Sequence, residues 1–85
     1  MANERYFIYG TRTCPYCSLA TEALDSLNKE YVFFNLSDDN QFLNYTKQFY
    51  DHPTVPIIIR NDKNTGQCSL IGGFSDLSNI IKVNK

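Results

Sequence analysis

Two cysteines separated by two residues stand near the start of the chain, in Cys14-Pro15-Tyr16-Cys17. A disulfide between them would close a loop too small to stabilise the fold by restricting the unfolded chain. The chain has three cysteines, and an odd number does not suit a framework of structural disulfides. The pair is therefore suited to redox chemistry, in which two thiols are oxidised to a disulfide and reduced again.

The residue between the cysteines indicates which thiol reacts first. Pro15 suits the first position of a helix, where its missing N–H costs nothing. Cys14 then becomes the N-cap, and the backbone N–H of Cys17 can donate to its sulfur. The helix dipole favours a thiolate there, Arg12 can add positive charge, and such CxxC thiols ionise well below the pH of free cysteine. We predict that Cys14 is the nucleophile and that Cys17 resolves the mixed disulfide.

A CxxC pair can also be half of a zinc site, which needs two further ligands. The chain offers only His52 and Cys68, and neither has a partner at metal-ligand spacing, so we expect no metal. His52 precedes Pro53 and is either a loop residue or part of the rim of the active site. Cys68 falls in a predicted strand and is expected to be a small core residue, with a peripheral oxidation-sensitive role as the alternative.

The elements that must position the pair follow from the apolar pattern. A buried strand is predicted at 6–9, ended by Gly10, and a second at 31–36, with a helix between them that makes a right-handed βαβ unit. The apolar face of that helix is predicted to comprise Leu19, Ala20, Ala23, Leu24 and Leu27. A CxxC pair at the first strand-to-helix turn of such a unit is the redox arrangement of thioredoxin-like folds.

The second half of the chain predicts a helix, a hairpin and a last helix. The N-cap candidates of the second helix are Ser37, Asp38 and Asp39, its apolar residues are Phe42, Tyr45 and Phe49, and Pro53 ends it. Strands at 57–59 and 67–71 form an antiparallel hairpin, and the last helix carries Leu77, Ile80 and Ile81. We expect a single domain over 1–85, with a four-stranded mixed sheet, about three helices and the order β-α-β-α-β-β-α.

Composition excludes several classes of function. The chain is 42% hydrophobic, which is ample for a folded core, and its net charge of −1 comes from scattered basic and acidic residues. No basic run indicates nucleic acid or a membrane surface, and the apolar runs are too short to span a bilayer. The polar N-terminus lacks the apolar segment of a signal peptide, so we expect a cytoplasmic protein.

Three motifs occur in a characteristic order: Cys14-Pro15-Tyr16-Cys17, then Thr54-Val55-Pro56, then Gly72-Gly73-Phe74-Ser75-Asp76. With these motifs the chain resembles a dithiol glutaredoxin over essentially its whole length. The resemblance implies a thioredoxin-like fold, glutathione as co-substrate, and reduction of protein disulfides and glutathione mixed disulfides. It suggests glutathionylated proteins and ribonucleotide reductase as protein partners, and we expect the protein to act as a monomer.

The resemblance also implies a glutathione site. It implies that Thr54, Val55 and Pro56 contact glutathione and that the Val55 backbone pairs with the cysteinyl part. It also implies that Pro56 is cis. The alternative is that Pro56 is an ordinary trans proline in an edge strand. Ser75 is a predicted N-cap whose helix start would receive a carboxylate, and Asp76 would bind an ammonium group.

The remaining candidates each have a simpler alternative. Gly73 would let backbone and ligand approach closely or would only form a turn. Ser75 and Asp76 could merely cap a helix. Tyr16 could pack along glutathione or face solvent, and Arg12 could bind the glycyl carboxylate or be a surface arginine. The chain departs from many glutaredoxins in having Thr11 where they carry a basic residue. The second helix offers a further contact from Gln41, Asn44 or Lys47.

Two alternative functions are also compatible with the sequence. The first is a redoxin reduced by a thioredoxin reductase, which the sequence from Gly73 to Asp76 disfavours. The second is an iron–sulfur carrier that holds a cluster between two protomers through Cys14 and glutathione. Pro15 disfavours that function, because glutaredoxins of this kind mostly have Ser or Gly there or lack the second cysteine.

Overall fold

The computed structural model describes residues 4–81. Its elements are β1 (Glu4–Gly10), α1 (Pro15–Ser26), β2 (Glu30–Asn35), α2 (Asn40–Phe49), β3 (Ile57–Asp62), β4 (Cys68–Gly72) and α3 (Phe74–Ile81). This order confirms the predicted β-α-β-α-β-β-α arrangement and the thioredoxin-like fold. Within these residues, no helix is long and apolar enough to cross a membrane.

One mixed sheet organises the chain, with strand order β2-β1-β3-β4. β1 pairs in parallel with β2, where Tyr6 lies opposite Tyr31, and antiparallel with β3, where Ile8 lies opposite Ile58. β4 pairs antiparallel with the other edge of β3. Because β1 has a partner strand on both sides, the loop that carries Cys14 leaves from a well-anchored central strand.

The core lies between one face of the sheet and the helices α1 and α3. Its buried residues are Tyr6, Ile8, Ala20, Leu24, Ile58 and Leu77. Burial of a leucine or isoleucine side chain contributes about 1.5–3 kcal/mol to stability. Ala20 and Leu24 pack against the sheet one and two turns further along α1, and this packing holds the start of the helix in place.

The predicted apolar face of α1 is only partly correct. Ala20, Ala23 and Leu24 are buried, whereas Leu19 and Leu27 are exposed. Leu19 lies about 100° around the helix from Ala20 and therefore leaves the stripe that faces the core. Leu27 is the C-cap residue with non-helical backbone angles, so it lies beyond the last buried turn.

The second helix begins as predicted, because the Asp39 carboxylate accepts a hydrogen bond from the Phe42 N–H at 3.0 Å. Its aromatic residues, however, lie at the surface, and Phe49 is 67% exposed. The rings pack on one another, with Phe49 edge-on to Tyr50 at 4.8 Å between centroids. Tyr50 in turn contacts Tyr9, whose side chain points to the face of the sheet opposite that of Ile8.

Cys68 is exposed, so the prediction of a small core residue is wrong. It begins β4, which is an edge strand, and the neighbouring Ser69 and Leu70 are exposed as well. Its Sγ accepts a hydrogen bond from the Asn61 amide at 3.4 Å. The alternating apolar pattern of a strand does not reveal whether another element packs on it. In the described part of the chain, no element covers this part of β4.

Candidate functional site

Cys14 lies at the N-terminus of α1. Its backbone is extended (φ −86°, ψ 110°), Pro15 takes the first helical position, and the Cys17 N–H donates to the Cys14 Sγ at 3.2 Å. The residue as a whole is half-buried. An N-cap acceptor beside free N–H groups is favoured as an anion, because the positive end of the helix dipole lies there.

Cys17 lies one turn inside the helix and is 2% exposed. Burial raises the pKa of its thiol to about 12, and the neighbouring Cys14 sulfur adds to the shift. The thiol of Cys17 is therefore protonated at neutral pH. Cys17 is buried and keeps its proton, whereas Cys14 is half-buried and accepts an N–H at the helix start, an asymmetry that suits a resolving and a nucleophilic thiol.

Gly10 has a role at the site that was not predicted from the sequence. As predicted, β1 ends at Gly10, which is still paired with Asn35 of β2. A Cβ at Gly10 would overlap the Sγ of Cys17 and would lie 3.2 Å from the Phe33 ring. Glycine is needed here for close approach between a strand and the buried thiol. A glycine four residues before Cys14 was the available signal.

A loop before β3 completes the surroundings of Cys14. The Val55–Pro56 peptide bond is cis, as the resemblance implies. The Val55 carbonyl lies 3.8 Å from the Cys14 Sγ and can accept a hydrogen bond from the thiol. The backbone of this loop therefore borders the Cys14 sulfur directly.

A groove with a volume of about 310 Å³ adjoins Cys14 through Val55. It is lined by Tyr16, His52, Thr54, Val55, Pro56, Gly73, Phe74, Ser75 and Asp76. The structure thus brings together all the candidates for glutathione binding outside α2 except Arg12. These residues come from α1, from the loop before β3 and from the start of α3.

Arg12 lies elsewhere. Both of its terminal guanidinium nitrogens lie 3.4 Å from the Asp38 carboxylate, and its backbone N–H donates to the Ser37 hydroxyl at 2.8 Å. It lines a separate cavity of about 280 Å³ together with Cys17 and Thr21. This exposed ion pair contributes little to stability, about 1 kcal/mol or less. Asp38 offsets the positive charge that the sequence assigned to the neighbourhood of Cys14.

The start of α3 differs from the prediction. The helix begins at Phe74, so Ser75 lies inside the first turn and is not the N-cap. The Asp76 carboxylate reaches back to accept the Gly73 N–H at 3.1 Å, which is half of a capping box. Gly72 has φ +121°, and a Cβ there would overlap that carboxylate. Gly72 therefore leaves room for the carboxylate of Asp76 at the helix start, and Gly73 supplies the N–H that this carboxylate accepts.

Phe74 and His52 also line the groove, although neither was predicted as a ligand contact. Phe74 lies 6.2 Å from the Tyr16 ring, between centroids, and its place inside the third motif was the available signal. By contrast, the groove is not lined by the α2 candidates Gln41, Asn44 and Lys47. Gln41 lines a different cavity beside Phe42 and Tyr45.

Across residues 4–81, no three His, Cys, Asp or Glu side chains come close enough together to hold a metal ion.

The sequence profile of the glutaredoxin family matches residues 6–64. The chain belongs to the glutaredoxin family. No curated protein sequence matches it significantly. Membership of the glutaredoxin family supports thiol–disulfide oxidoreductase activity, and Cys14 and Cys17 make this chain consistent with the dithiol type.

Solved structures of glutaredoxins are similar to this chain. The dithiolic glutaredoxin of Trypanosoma brucei brucei is 29% identical with a TM-score of 0.70, and the match covers 93% of this chain and 78% of that one. A buckwheat glutaredoxin in complex with glutathione is 22% identical with a TM-score of 0.73, over 93% of this chain and 69% of that one. Glutaredoxin 1 of Francisella tularensis, complexed with cacodylate, is 24% identical with a TM-score of 0.68, over 96% and 99%.

Proposed function

We propose that the protein is a glutathione-dependent dithiol oxidoreductase that reduces protein disulfides and glutathione mixed disulfides. One observation carries the proposal. The Cys14 Sγ accepts the Cys17 N–H at the start of α1 and lies beside the Val55 carbonyl of a groove of about 310 Å³. The Val55 backbone thus borders both the nucleophilic sulfur and a groove of a size that suits a small peptide.

The reaction begins with attack by the Cys14 thiolate on one sulfur of the substrate disulfide. A bond forms between Cys14 and that sulfur, the substrate S–S bond breaks, and the second substrate sulfur leaves as a thiolate that takes a proton from water. The Cys17 N–H and the helix dipole stabilise the attacking anion before the step.

Cys17 completes the reduction of a protein disulfide. Its thiol gives up a proton and attacks the Cys14 Sγ, which forms the Cys14–Cys17 disulfide and releases the second substrate thiol. Because burial raises the pKa of the Cys17 thiol, this step is slower than the attack by Cys14 unless the proton is removed as the bond forms.

Two molecules of glutathione restore the dithiol. The first attacks the Cys14 Sγ and releases Cys17, and the second attacks the glutathione sulfur on Cys14 and leaves as glutathione disulfide. Glutaredoxin couples of about −200 to −230 mV suit this exchange. A substrate that is already a glutathione mixed disulfide needs only Cys14.

The groove offers a place for each end of glutathione. The cysteinyl part would lie along the Val55 backbone beside Cys14, and the γ-glutamyl head would lie at the start of α3. The first-turn N–H groups of a helix lack intrahelical acceptors and favour a carboxylate, while the exposed Asp76 carboxylate suits an ammonium group. The buckwheat relative, solved with glutathione, is consistent with this use of the fold.

We propose a cytoplasmic setting, where thiols are kept reduced, with glutathionylated or disulfide-containing proteins as substrates and ribonucleotide reductase among the candidates. The test is a coupled assay on a small glutathione mixed disulfide. One arm supplies glutathione with glutathione reductase, and the other supplies only thioredoxin reductase. We expect turnover in the first arm alone. Turnover that depends on the flavoprotein reductase, or a coloured cluster-bearing protein inactive in both arms, would contradict the proposal.

A further inference from the structure

His52 occupies a defined position at the edge of the groove. It follows α2 in a Schellman arrangement, in which Asp51 has φ +52° and donates its N–H to Gln48, and the His52 N–H donates to the Lys47 carbonyl at 2.9 Å. The backbone of His52 is therefore tied to the end of a helix and is not simply part of a loop.

The ring of His52 is held as well. Its Nδ1 lies 2.7 Å from the Thr54 carbonyl, and because a carbonyl only accepts, Nδ1 carries the hydrogen. The Cε1 lies 3.9 Å from the position that a Cβ would take on Gly73. Thr54 and Gly73 both line the groove, so the imidazole lies between two of its walls with Nε2 free of the Thr54 contact.

The groove is poor in positive charge. Among the groove-lining side chains that the structure describes, His52 is the one that can become a cation, while Asp76 supplies a negative charge. Arg12 pairs with Asp38, and it lines another cavity together with Thr11. Glutathione carries two carboxylates, and the start of α3 serves one of them.

We propose that His52 is a substrate-binding residue whose protonated imidazole binds a carboxylate of glutathione in this groove. This inference rests on the proposed function. The Nε2–H donates to the carboxylate while the Nδ1–H stays on the Thr54 carbonyl. A neutral ring with its hydrogen on Nδ1 has only an acceptor at Nε2 and cannot make this bond.

Binding should consequently be tighter at low pH. The other titratable groups near the ring are Tyr16 from α1, Asp76 from α3, and Lys47 and Asp51 at the end of α2. Phenol, carboxyl and ammonium groups ordinarily titrate outside pH 5 to 8, whereas imidazole ordinarily titrates inside it. The carboxylates of the ligand stay ionised across that interval.

The experiment measures the dissociation constant of S-methylglutathione, which cannot react with Cys14, by calorimetry on the reduced protein at pH 6 and pH 8. We expect the wild type to bind about threefold to fivefold more tightly at pH 6, the size of an exposed ion pair. His52→Asn keeps a donor for Thr54 but lacks the cation, so it should bind weakly at both pH values. His52→Gln, a neutral donor near the Nε2 position, should bind without pH dependence.

The diethyl ester of S-methylglutathione, which has no free carboxylate, is the matched control. At each pH value, wild type and both variants should bind it equally. Two results would overturn the role of His52 while leaving the coupled assay active. One is the same pH dependence of binding in wild type and variants. The other is a loss of affinity for the ester in the variants that equals their loss for S-methylglutathione. If the wild type neither binds S-methylglutathione nor turns over in the coupled assay, the proposed function fails together with this inference.

Discussion

Gly10 of β1 lies directly against the sulfur of Cys17 in α1, with no space for a side chain between them. The strand and the helix meet at this point because β1 is paired on both sides and α1 packs across it. The burial that raises the pKa of the Cys17 thiol is thus a consequence of how closely α1 approaches the sheet.

Gly10→Ala should displace Cys17. The added methyl group would overlap its Sγ, and we expect a loss of about 1–3 kcal/mol in the free energy of unfolding, together with slower formation of the Cys14–Cys17 disulfide. Urea unfolding and rapid-quench oxidation measure the two effects. Gly73→Ala is the control for stability, because its Cβ would make only ordinary contacts at 3.9 Å. Equal stability of both variants would contradict the close contact.

The two cysteines should differ in mutational effect. Cys14→Ser should abolish turnover of both protein disulfides and glutathione mixed disulfides, because the attacking sulfur is lost. Cys17→Ser should keep deglutathionylation and lose protein-disulfide reduction by the dithiol route. Initial rates on one substrate of each type, measured beside Cys68→Ser as a control outside the groove, test the assignment. Equal losses in the Cys14 and Cys17 variants would refute it.

Cys17 should be alkylated only at high pH. In a Cys14→Ser/Cys68→Ser variant, burial still raises the pKa of the remaining thiol, whose ordinary value is 9.0, towards about 12. The rate with iodoacetamide should therefore rise about tenfold for each pH unit and keep rising above pH 10, because only the thiolate reacts. The same variant in concentrated denaturant should level off near the ordinary value. A native-state plateau there would show that the thiol is not buried in solution.

Alkaline pH should destabilise the fold through Tyr6. Burial raises the pKa of its phenol from 10.0 to about 12, with the nearby Glu4 carboxylate adding to the shift. The native state therefore holds this proton more tightly than the unfolded state, so the stabilisation is complete below pH 10 and is lost as the pH rises towards 12. The urea midpoint of Tyr6→Phe should fall less steeply than that of the wild type over this interval. Parallel slopes would count against a buried phenol.

Local patterns in the sequence were enough to predict several features of the site. Pro15 after Cys14 predicts the N-cap, and the structure has the Cys17 N–H on the Cys14 sulfur. The order of strands and helices follows from apolar periodicity and from turn residues. Motif resemblance, which reaches further along the chain than periodicity, implied the cis bond at Pro56 and the segments that meet in the groove.

Other features depend on contacts between distant parts of the chain. Asp38 is paired with Arg12, and His52 lies beside Gly73, yet neither relation follows from a local pattern. Apolar residue type also predicted burial for Leu19 and Cys68, which are exposed because one lies off the core stripe and the other on an edge strand.

The sequence by itself determined the local elements of this protein and the position of the Cys14 and Cys17 pair at a helix start, because hydrogen bonding at a helix start and side-chain periodicity act over a few residues. Only the tertiary structure decided which charges meet, which apolar side chains are covered and what lies against Cys17. Those outcomes depend on how α1 and α3 pack on the sheet. Packing brings together residues that are far apart along the chain, so no short sequence pattern predicts their contacts.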